Sequence, residues 1–572
     1  MEKINRLKKL FKREKIDGYL IPKNDEFFDE YISQHNDRLN YISNFTGSYG
    51  FSLILRNENY LFVDGRYTLQ ASKQSGKFFK IVTFPNKMPY NIFGKKKLFI
   101  GFDPKILTSK TLKNFFKKTN FNFKPIDENL VDDIWIRKAK EKKHNFYCLP
   151  MNSVGNSYKF KIDKIVTFLK RERADFQFIT ASENNAWLLN MRGKDSKYCP
   201  IPHCHILIDK YKNVIIFCDL NKINSHLKKY FKKIKFFGTD FIPEILSEIK
   251  KKKFILDENT CSFYYEKIIA QNNRILKISD PIYSLKAIKS EKEIKNIKKA
   301  HIYDGIALTK YLFWVKKNFS KKKITEISSS NKLFELRRKN KKFKSLSFPT
   351  ISSSGPNGAI IHYKATSESN RVLKKGDIYL VDSGGQYEFG TTDVTRTISL
   401  KNSNQRIKNI FTRVLKGHIA VANFKIKKNT FGSKIDFEAR KHLKKIGLNY
   451  SHGTGHGVGY FLNVHEGPQA ISKNNFIKFE KGMVVSNEPG YYEKNSFGIR
   501  IENLIYVKKQ NKKKYFENLT MAPIDKELIV KSMLNENEKI WLNDYHKKVY
   551  DNLKVHMNKS EIEDLKLACS AI

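Results

Sequence analysis

Five side chains in the second half of the chain have the types and the placement needed to hold metal ions. They lie in apolar runs, at the ends of such runs, or among glycines, and they are Asp382, Asp393, His456, Glu488 and Glu502. Carboxylates packed a few ångströms apart cannot all stay ionised without a compensating cation. The set therefore predicts a site for two divalent cations in one domain.

The chemistry of the five residues narrows the choice of metal. Their ligand atoms are carboxylate oxygens and one imidazole nitrogen, with no thiolate. This set favours Mn²⁺ or a similarly hard ion, although affinity alone would let Co²⁺ or Zn²⁺ bind. Two ions that share carboxylates lie roughly 3.5 to 4 Å apart, activate a water and polarise a carbonyl. Hydrolysis is the predicted reaction class, with two Mn²⁺ per subunit as the expected cofactor.

Short strands and stiff turns must position these residues. The runs 377–382, 392–399, 483–488 and 499–507 are bounded by turn residues and predict four strands. Within 499–503, a period of two sends Arg500 and Glu502 to one face and two isoleucines to the other. The glycines around His456 exclude a stable helix, so this histidine is expected in a loop or a strand.

Length and composition indicate a folded, multidomain chain. Its 572 residues predict two to four domains, and 40% hydrophobic residues exclude a disordered protein. The net charge of +51 comes from lysine runs spread along the chain, which we interpret as compositional drift rather than a binding surface. The six cysteines show no C-x-x-C pair or regular spacing, which favours a reducing compartment. The absence of a long apolar run predicts no membrane association.

The order of apolar runs predicts an α/β fold with four segments. Two successive series of alternating helices and short strands predict α/β domains over residues 1–135 and 136–284. A helix over 285–317 is expected at the start of a glycine-rich α+β domain over 285–510. A tail over 511–572 combines an extended piece with a helix near residues 536–554.

Longer motifs around these residues resemble the aminopeptidase P family. The motifs in the second half are DSGGQYEFGTTDVTRT from Asp382, HGTGHGVGYFLNVHEGP from His452, NEPG around Glu488 and IRIEN around Arg500. Further similarity lies in DGRYTLQA from Asp64, AWLLNMRG from Ala186, GAIIHY from Gly358 and LTMAPI from Leu519. The resemblance covers nearly the whole chain. It implies two creatinase-like N-terminal α/β domains, a "pita-bread" catalytic domain and a C-terminal tail.

The resemblance also implies a role for each candidate ligand. Asp382 and Asp393 would hold the first ion, and His456 and Glu488 the second. Asp393 and Glu502 would bridge the two ions. Glu488 would also handle the proton during attack and collapse, since a carboxylate beside a metal has its pKa set by the ion.

Five further residues match family positions outside the metal ligands. His362, His452 and His465 match residues that contact the substrate or stabilise the tetrahedral oxyanion. Arg66 matches a substrate-contacting arginine of the first domain, and Arg500 would orient the acids around Glu502. We count His362, His465, Arg66 and Arg500 as candidate substrate-binding residues, with His362, His452 and His465 also as candidate catalytic residues.

The predicted activity is hydrolysis of the first peptide bond in Xaa-Pro-Yaa peptides, which releases the N-terminal residue. A cytoplasmic homodimer is expected, with no specific nucleic acid and no membrane as partner. Two alternatives remain open. A prolidase of the same fold would cleave Xaa-Pro dipeptides, and a non-catalytic pita-bread protein would bind histones or nucleic acid through its basic charge.

Overall fold

The computed structural model describes residues 1–137 and 143–572. The chain forms two compact units, Met1–Tyr283 and Ser284–Ile572. The predicted boundary at residues 135 and 136 lies within the described part, but residues 138–142 of the second predicted segment lie outside it. Among the described residues, no helix has both the length and the apolar character to cross a bilayer.

The first unit contains two six-stranded sheets with their helices. Its elements are α1 (Glu2–Arg13), β1 (Gly18–Pro22), α2 (Arg38–Ser43), β2 (Phe51–Leu55), β3 (Asn59–Asp64), α3 (Thr68–Ser75), β4 (Lys80–Phe84), α4 (Pro89–Phe93), β5 (Lys97–Phe102), α5 (Ser109–Phe116), β6 (Asn120–Pro125), β7 (Tyr147–Cys148), α6 (Tyr158–Arg171), β8 (Phe176–Ile179), α7 (Ser182–Leu188), β9 (Met191–Arg192), β10 (Cys204–Asp209), β11 (Val214–Cys218), α8 (Ser225–Tyr230), β12 (Lys235–Phe237), α9 (Ile242–Glu248), β13 (Lys253–Leu256), α10 (Phe263–Asn272) and β14 (Arg274–Lys277).

The two large sheets of the first unit repeat one topology. The first has the order β4-β3-β2-β1-β5-β6, and the second has the order β12-β11-β10-β8-β13-β14. In each sheet three adjacent strands run antiparallel, and parallel strands extend the sheet on both sides. The structure thus contains a duplicated α/β architecture that has no fixed-period repeat in the sequence.

A buried ion pair joins the two halves of the first unit. His203 Nε2 lies 2.7 Å from Asp29 Oδ2, and the Phe27 ring stacks on the His203 ring at 4.2 Å. Burial lowers the pKa of the His203 imidazole, but the charge of Asp29 and the hydrogen bond to it outweigh burial and raise the pKa to about 9. Burial and the charge of Asp29 also raise the pKa of Asp25 to about 7. The folded unit therefore holds protons that the unfolded chain releases.

We expect the first unit to become less stable as the pH rises from 6.5 to 9. An unfolded histidine titrates near pH 6.5, so protonated His203 stabilises the fold below that pH, and the contribution is lost as the pH passes about 9. Its size is at most about 3 kcal/mol. The contribution of protonated His203 to the free energy of unfolding is measured by urea unfolding, followed by hydrogen exchange of peptides from β1 and β10, in wild type and His203→Gln.

The difference between wild type and His203→Gln should be large at pH 6 and nearly absent above pH 9. The exposed His226 supplies a matched control, because His226→Gln removes an imidazole from α8 without touching a buried charge. An equal difference between wild type and His203→Gln at both pH values would contradict the assignment.

The second unit combines small sheets with long helices. Its elements are α11 (Ile282–Ala287), which begins two residues before it, α12 (Glu291–Asn318), α13 (Glu326–Arg338), β15 (Phe343–Leu346), β16 (Ile351–Ser354), β17 (Ile378–Ser383), β18 (Gly385–Tyr387), β19 (Gly390–Thr391), β20 (Val394–Ser399), α14 (Gln405–Ala422), α15 (Gly432–Lys444), β21 (Gly455–Gly457), β22 (Glu466–Ile471), β23 (Val484–Asn487), β24 (Gly490–Glu493), β25 (Phe497–Arg500), β26 (Asn503–Gln510), β27 (Lys513–Asn518), α16 (Glu536–Leu553) and α17 (Lys559–Cys569).

Two predicted elements of the second unit are interrupted. The helix expected over 285–317 is wrong as a single element, because Ser290 caps a new helix at Glu291 and Ile288 instead bridges to Met483. The strand expected over 499–507 is also wrong as one element. It breaks into β25 and β26 at Ile501 and Glu502, whose amides bond outside the ladder.

Candidate metal centre

The central antiparallel pair β17 and β20 brings the two candidate aspartates to one end of a ladder. Asp382 lies near the end of β17 and is the register partner of Thr395, while Asp393 immediately precedes β20. The hairpin between them contains Gly384, where a Cβ would lie 1.9 Å from the Thr392 carbonyl oxygen. This close backbone approach requires glycine, and it keeps both carboxylates at the same edge.

A five-stranded sheet of order β22-β21-β23-β26-β27 supplies the histidine and one glutamate. His456 lies in β21, where its amide donates to Ser486 Oγ at 2.9 Å. Glu488 follows β23, and its amide donates to the Thr454 carbonyl at 2.8 Å. These bonds place His456 Nε2 3.4 Å from Asp393 Oδ2 and 3.6 Å from Glu488 Oε1.

The break between β25 and β26 positions the last glutamate. The Glu502 amide donates to the Thr395 carbonyl at 3.2 Å, and Thr395 Oγ1 donates to Glu502 Oε2 at 2.8 Å. Asp393, His456 and Glu502 each offer a ligand atom within 4.8 Å of the other two. The structure therefore gathers residues from three separate sheets or turns around one point.

Burial makes the charge of this cluster costly. Desolvation raises the pKa of Asp382, Glu488 and Glu502, and the neighbouring carboxylates add to the rise in each case. Burial lowers the pKa of His456, but the hydrogen bond to Asp393 and the charge of Glu488 outweigh burial and raise it to about 9. If all four carboxylates are ionised, their negative charge exceeds what Arg500 and His456 neutralise.

The donor set fits a pair of divalent ions. Among the described residues, Asp382 Oδ1 is a buried oxygen that accepts no hydrogen bond. His456 Nδ1 donates to the Gly457 carbonyl at 3.0 Å, which leaves Nε2 as the nitrogen that faces the carboxylates. An orphaned carboxylate oxygen and a correctly oriented imidazole are the features that a hard cation requires.

A buried cation and a phenol complete the arrangement. Arg500 Nη2 donates to Asp382 Oδ2 at 2.7 Å, and Arg500 Nε donates to Thr395 Oγ1 at 3.0 Å. Arg500 Nη1 also donates to the Tyr492 hydroxyl at 2.6 Å, which lies 2.9 Å from His452 Nε2. Tyr492 and Thr395 were not among the residues predicted from the sequence. For Tyr492 a signal was present, because it lies in the short β24 beside the Pro489-Gly490 turn.

A second buried network braces the hairpin that carries Asp382. Arg337 makes two hydrogen bonds to Asp304, at 2.8 and 3.1 Å, and a third to Ser383 Oγ at 3.1 Å. The Tyr387 hydroxyl donates to Asp304 Oδ1 at 2.8 Å. Because Ser383 adjoins Asp382, this network fixes the hairpin from behind. No local motif in the sequence marks it.

The predicted substrate-binding residues differ in their position relative to the candidate metal ligands. The His465 ring lies edge-on to the His456 ring at 4.4 Å, and His452 Nδ1 lies 3.9 Å from Glu488 Oε2. His362 is half-buried, four residues after Gly358, whose backbone packs on the backbone of β25. Arg66 belongs to the first unit, where its guanidinium pairs with Asp64 at 2.7 Å. Their substrate roles stay predictions.

Models of known families match the chain in four consecutive parts. A model described as metallopeptidase family M24 matches residues 295–509, and one described as the C-terminal region of peptidase M24 matches 514–572. Two models described as creatinase/prolidase N-terminal domains match residues 3–134 and 137–293. The predicted fold class, with two creatinase-like α/β domains before a catalytic α+β domain, is confirmed.

Relatives align with nearly the whole chain. A probable Xaa-Pro aminopeptidase P from Laccaria bicolor is 35% identical over 601 residues, covering 100% of this chain and 93% of the relative. One from Coprinopsis cinerea is also 35% identical, covering 98% of this chain and 96% of the relative.

Two solved structures are also similar to this chain. The crystal structure of X-prolyl aminopeptidase from Caenorhabditis elegans, described as a cytosolic enzyme with a di-nuclear active site, is similar at a TM-score of 0.93. It is 30% identical and covers 100% of this chain and 99% of that one. A prolidase from Pyrococcus horikoshii is similar at a TM-score of 0.53 and 26% identity, covering 65% of this chain.

Proposed function

Because the chain belongs to the Xaa-Pro aminopeptidase P family of M24 metallopeptidases, we propose that it hydrolyses the first peptide bond of peptides with proline in the second position. The observation that carries the proposal is the convergence of Asp393, His456 and Glu502 on one point, with Asp382 and Glu488 beside them. The reaction would release the N-terminal amino acid.

The proposed cofactor is a pair of Mn²⁺ ions, with Co²⁺ or Zn²⁺ as possible substitutes. Asp382, Asp393, His456, Glu488 and Glu502 would hold them. Two such ions supply a polarised carbonyl and a water of lowered pKa. The di-nuclear active site of the C. elegans structure supports this assignment.

The protein's own residues would bind the substrate and move protons. Glu488 has an 18% exposed side chain, compared with 11% for Asp382 and 5% for Asp393, so it is the carboxylate best placed to exchange a proton with the substrate. Arg500 holds Asp382 in position through a 2.7 Å bond.

Four further residues would contact the substrate. His465 lies against His456, and His452 is held by Tyr492, so both imidazoles lie beside the candidate metal ligands. We propose that these histidines and His362 donate hydrogen bonds to the substrate carbonyl or the tetrahedral oxyanion. For Arg66 we propose substrate binding on the strength of its motif alone.

Assembly and location are also proposals. The description of the C. elegans relative as cytosolic supports a cytoplasmic location for this chain. We also propose a homodimer with no specific nucleic-acid or membrane partner. We also propose the division into segments 1–135, 136–284, 285–510 and 511–572. Four family models over 3–134, 137–293, 295–509 and 514–572 support four segments, with the second model ending nine residues later than the second segment.

The activity is tested with a tripeptide and a dipeptide. We expect kcat/KM for Xaa-Pro-Yaa to exceed that for Xaa-Pro by at least about tenfold, which is 1.4 kcal/mol of transition-state stabilisation. Release of the first amino acid is measured by chromatography with Mn²⁺ present, and Xaa-Ala-Yaa serves as the control for proline. Preference for the dipeptide would instead support the prolidase alternative. No release from any of the three would refute the hydrolase.

The prolidase relative covers only 65% of the chain, whereas the C. elegans aminopeptidase covers all of it, which favours the tripeptide substrate. The non-catalytic alternative makes a different prediction. It requires DNA affinity with a steep salt dependence and no bound metal.

A further inference from the structure

One arginine beside the candidate metal centre is buried without a carboxylate partner. Arg396 on β20 is 1% exposed, and all its acceptors among the described residues are neutral oxygens. They are the carbonyls of Thr395, Glu502, Ala522 and Pro523, the side-chain oxygen of Asn503 and the Tyr545 hydroxyl. A buried guanidinium is costly unless every N–H is satisfied.

Two of these acceptors belong to the metal-binding region itself. Arg396 Nη1 lies 2.6 Å from the Glu502 carbonyl and 2.9 Å from the Thr395 carbonyl. Glu502 lies in the break between β25 and β26, outside both ladders, so Arg396 supplies the main-chain bond that a strand neighbour would otherwise supply. Arg396 therefore fixes both ends of the hydrogen bond between Thr395 Oγ1 and Glu502 Oε2.

Three other acceptors come from the C-terminal segment 511–572. Arg396 Nη2 lies 2.8 Å from the Ala522 carbonyl and 2.7 Å from the Tyr545 hydroxyl, and Nε lies 3.0 Å from the Pro523 carbonyl. The Tyr545 hydroxyl donates its own proton to the Ala522 carbonyl at 2.6 Å. The Tyr545 hydroxyl on helix α16 thus orders both the Ala522 carbonyl and the Arg396 guanidinium.

Helix α16 is also connected to Glu488, through a second set of contacts. The Trp541 ring stacks on the Tyr545 ring at 5.5 Å and meets the His418 ring edge-on at 5.8 Å. His418 Nδ1 donates to the Asn487 carbonyl at 3.0 Å, and Asn487 immediately precedes Glu488. Tyr545 and Trp541, which lie one turn apart on α16, are therefore connected to Glu502 and to Glu488, respectively.

We propose that the C-terminal segment 511–572 positions the metal-binding carboxylates, with Tyr545 of that segment and Arg396 of β20 as the positioning residues. Tyr545 supplies one of the acceptors around Arg396, and Arg396 holds the main chain of Glu502 next to that of Thr395. The inference rests on the proposed metallopeptidase function, because it assigns a task in metal binding to a segment that contains none of the five candidate ligands.

Tyr545→Phe tests the proposal with the loss of one oxygen atom. It removes one of three acceptors around the two N–H groups of Arg396 Nη2 and also the hydrogen bond that holds the Ala522 carbonyl. We therefore expect the apparent Kd for Mn²⁺ to rise by about 10- to 100-fold, the range found for residues that orient metal ligands. The full-length chain is equilibrated with graded MnCl₂, and bound metal is measured by elemental analysis. At low Mn²⁺, kcat should fall while KM changes little, and excess Mn²⁺ should restore kcat.

Tyr550→Phe is the matched control, because Tyr550 is a half-buried tyrosine on the same helix whose ring faces Lys554. It should bind Mn²⁺ as wild type does. Wild-type Mn²⁺ affinity in Tyr545→Phe, or an equal loss in both variants, would overturn the proposal. If the wild-type chain itself neither binds Mn²⁺ nor releases the first residue, the proposed function fails and the inference fails with it.

Discussion

Asp393→Asn is expected to lower kcat for Xaa-Pro-Yaa hydrolysis by more than about 100-fold and to reduce the bound metal below two ions per chain. Replacing residues that merely orient metal ligands costs about 10- to 100-fold, so the loss of a candidate bridging ligand should exceed that range. An amide keeps the size of the carboxylate but removes its charge. Asp393 is 4% exposed and lies 3.4 Å from His456, where water cannot replace that charge.

Elemental analysis of the purified variant, beside its rate of first-residue release, measures both effects. Asp377→Asn is the matched control, because Asp377 lies five residues before Asp382 at the other end of β17, roughly 17 Å away at about 3.3 Å per residue. It should keep both metal content and activity. An Asp393→Asn variant with two ions per chain and an unchanged rate would exclude Asp393 as a ligand.

Local sequence patterns predict most of the regular elements. The strands predicted over 377–382 and 392–399 and the helix predicted near 536–554 appear as β17, β20 and α16, within two residues of the predicted bounds, because apolar periodicity and turn residues there agree with the tertiary environment. The break after Ala287 is also encoded locally. Ser290 and Glu293 form a capping box, a signal that the continuous charged helical pattern masks.

The break at Ile501 and Glu502 has no comparable local signal. Alternation continues through these residues, so the sequence predicts one strand. The interruption comes from distant partners, because the Ile501 amide bonds to Pro489 and the Glu502 amide to Thr395. That break turns the Glu502 carboxylate toward Thr395 and the metal-binding cluster.

The candidate ligands could be found from residue type, but their supports could not. Carboxylates beside glycines and prolines are visible in a single sequence. Arg396, Tyr492 and Arg337 reach their partners across 149, 40 and 46 residues, respectively, and only the fold brings those segments together. Residues that orient a site are thus harder to predict than the residues they orient.

A buried trio of charges sits directly beside the candidate site. Lys289 Nζ lies 2.6 Å from Glu466 Oε1, Lys286 Nζ lies 3.6 Å from Glu466 Oε2, and all three side chains are 1% exposed. Glu466 follows His465, and its backbone pairs with Gly457, the neighbour of His456. The carboxylate therefore anchors the end of the loop that carries His465, next to β21 and its His456, to the segment before α12.

Glu466→Gln is expected to lower the unfolding free energy of the second unit by about 3 to 5 kcal/mol, the cost of breaking a buried ion pair from one side. The glutamine fills the same space but removes the charge that the buried ammonium groups of Lys289 and Lys286 face. Urea unfolding, followed by hydrogen exchange of peptides from β22 and β23, measures the loss. Glu480→Gln is the matched control, because Glu480 pairs with Lys514 at 2.5 Å with a 49% exposed side chain and should cost below about 1 kcal/mol.

The double variant Lys289→Met with Glu466→Gln separates charge from shape. If the cost of Glu466→Gln comes from unpaired ammonium groups, removal of Lys289 should recover part of the lost stability, so the double variant should unfold at higher urea than Glu466→Gln alone. If the cost comes from lost packing, the two losses should add. An additive result, or a Glu466→Gln variant within about 1 kcal/mol of wild type, would show that the trio does not stabilise the loop through its charge.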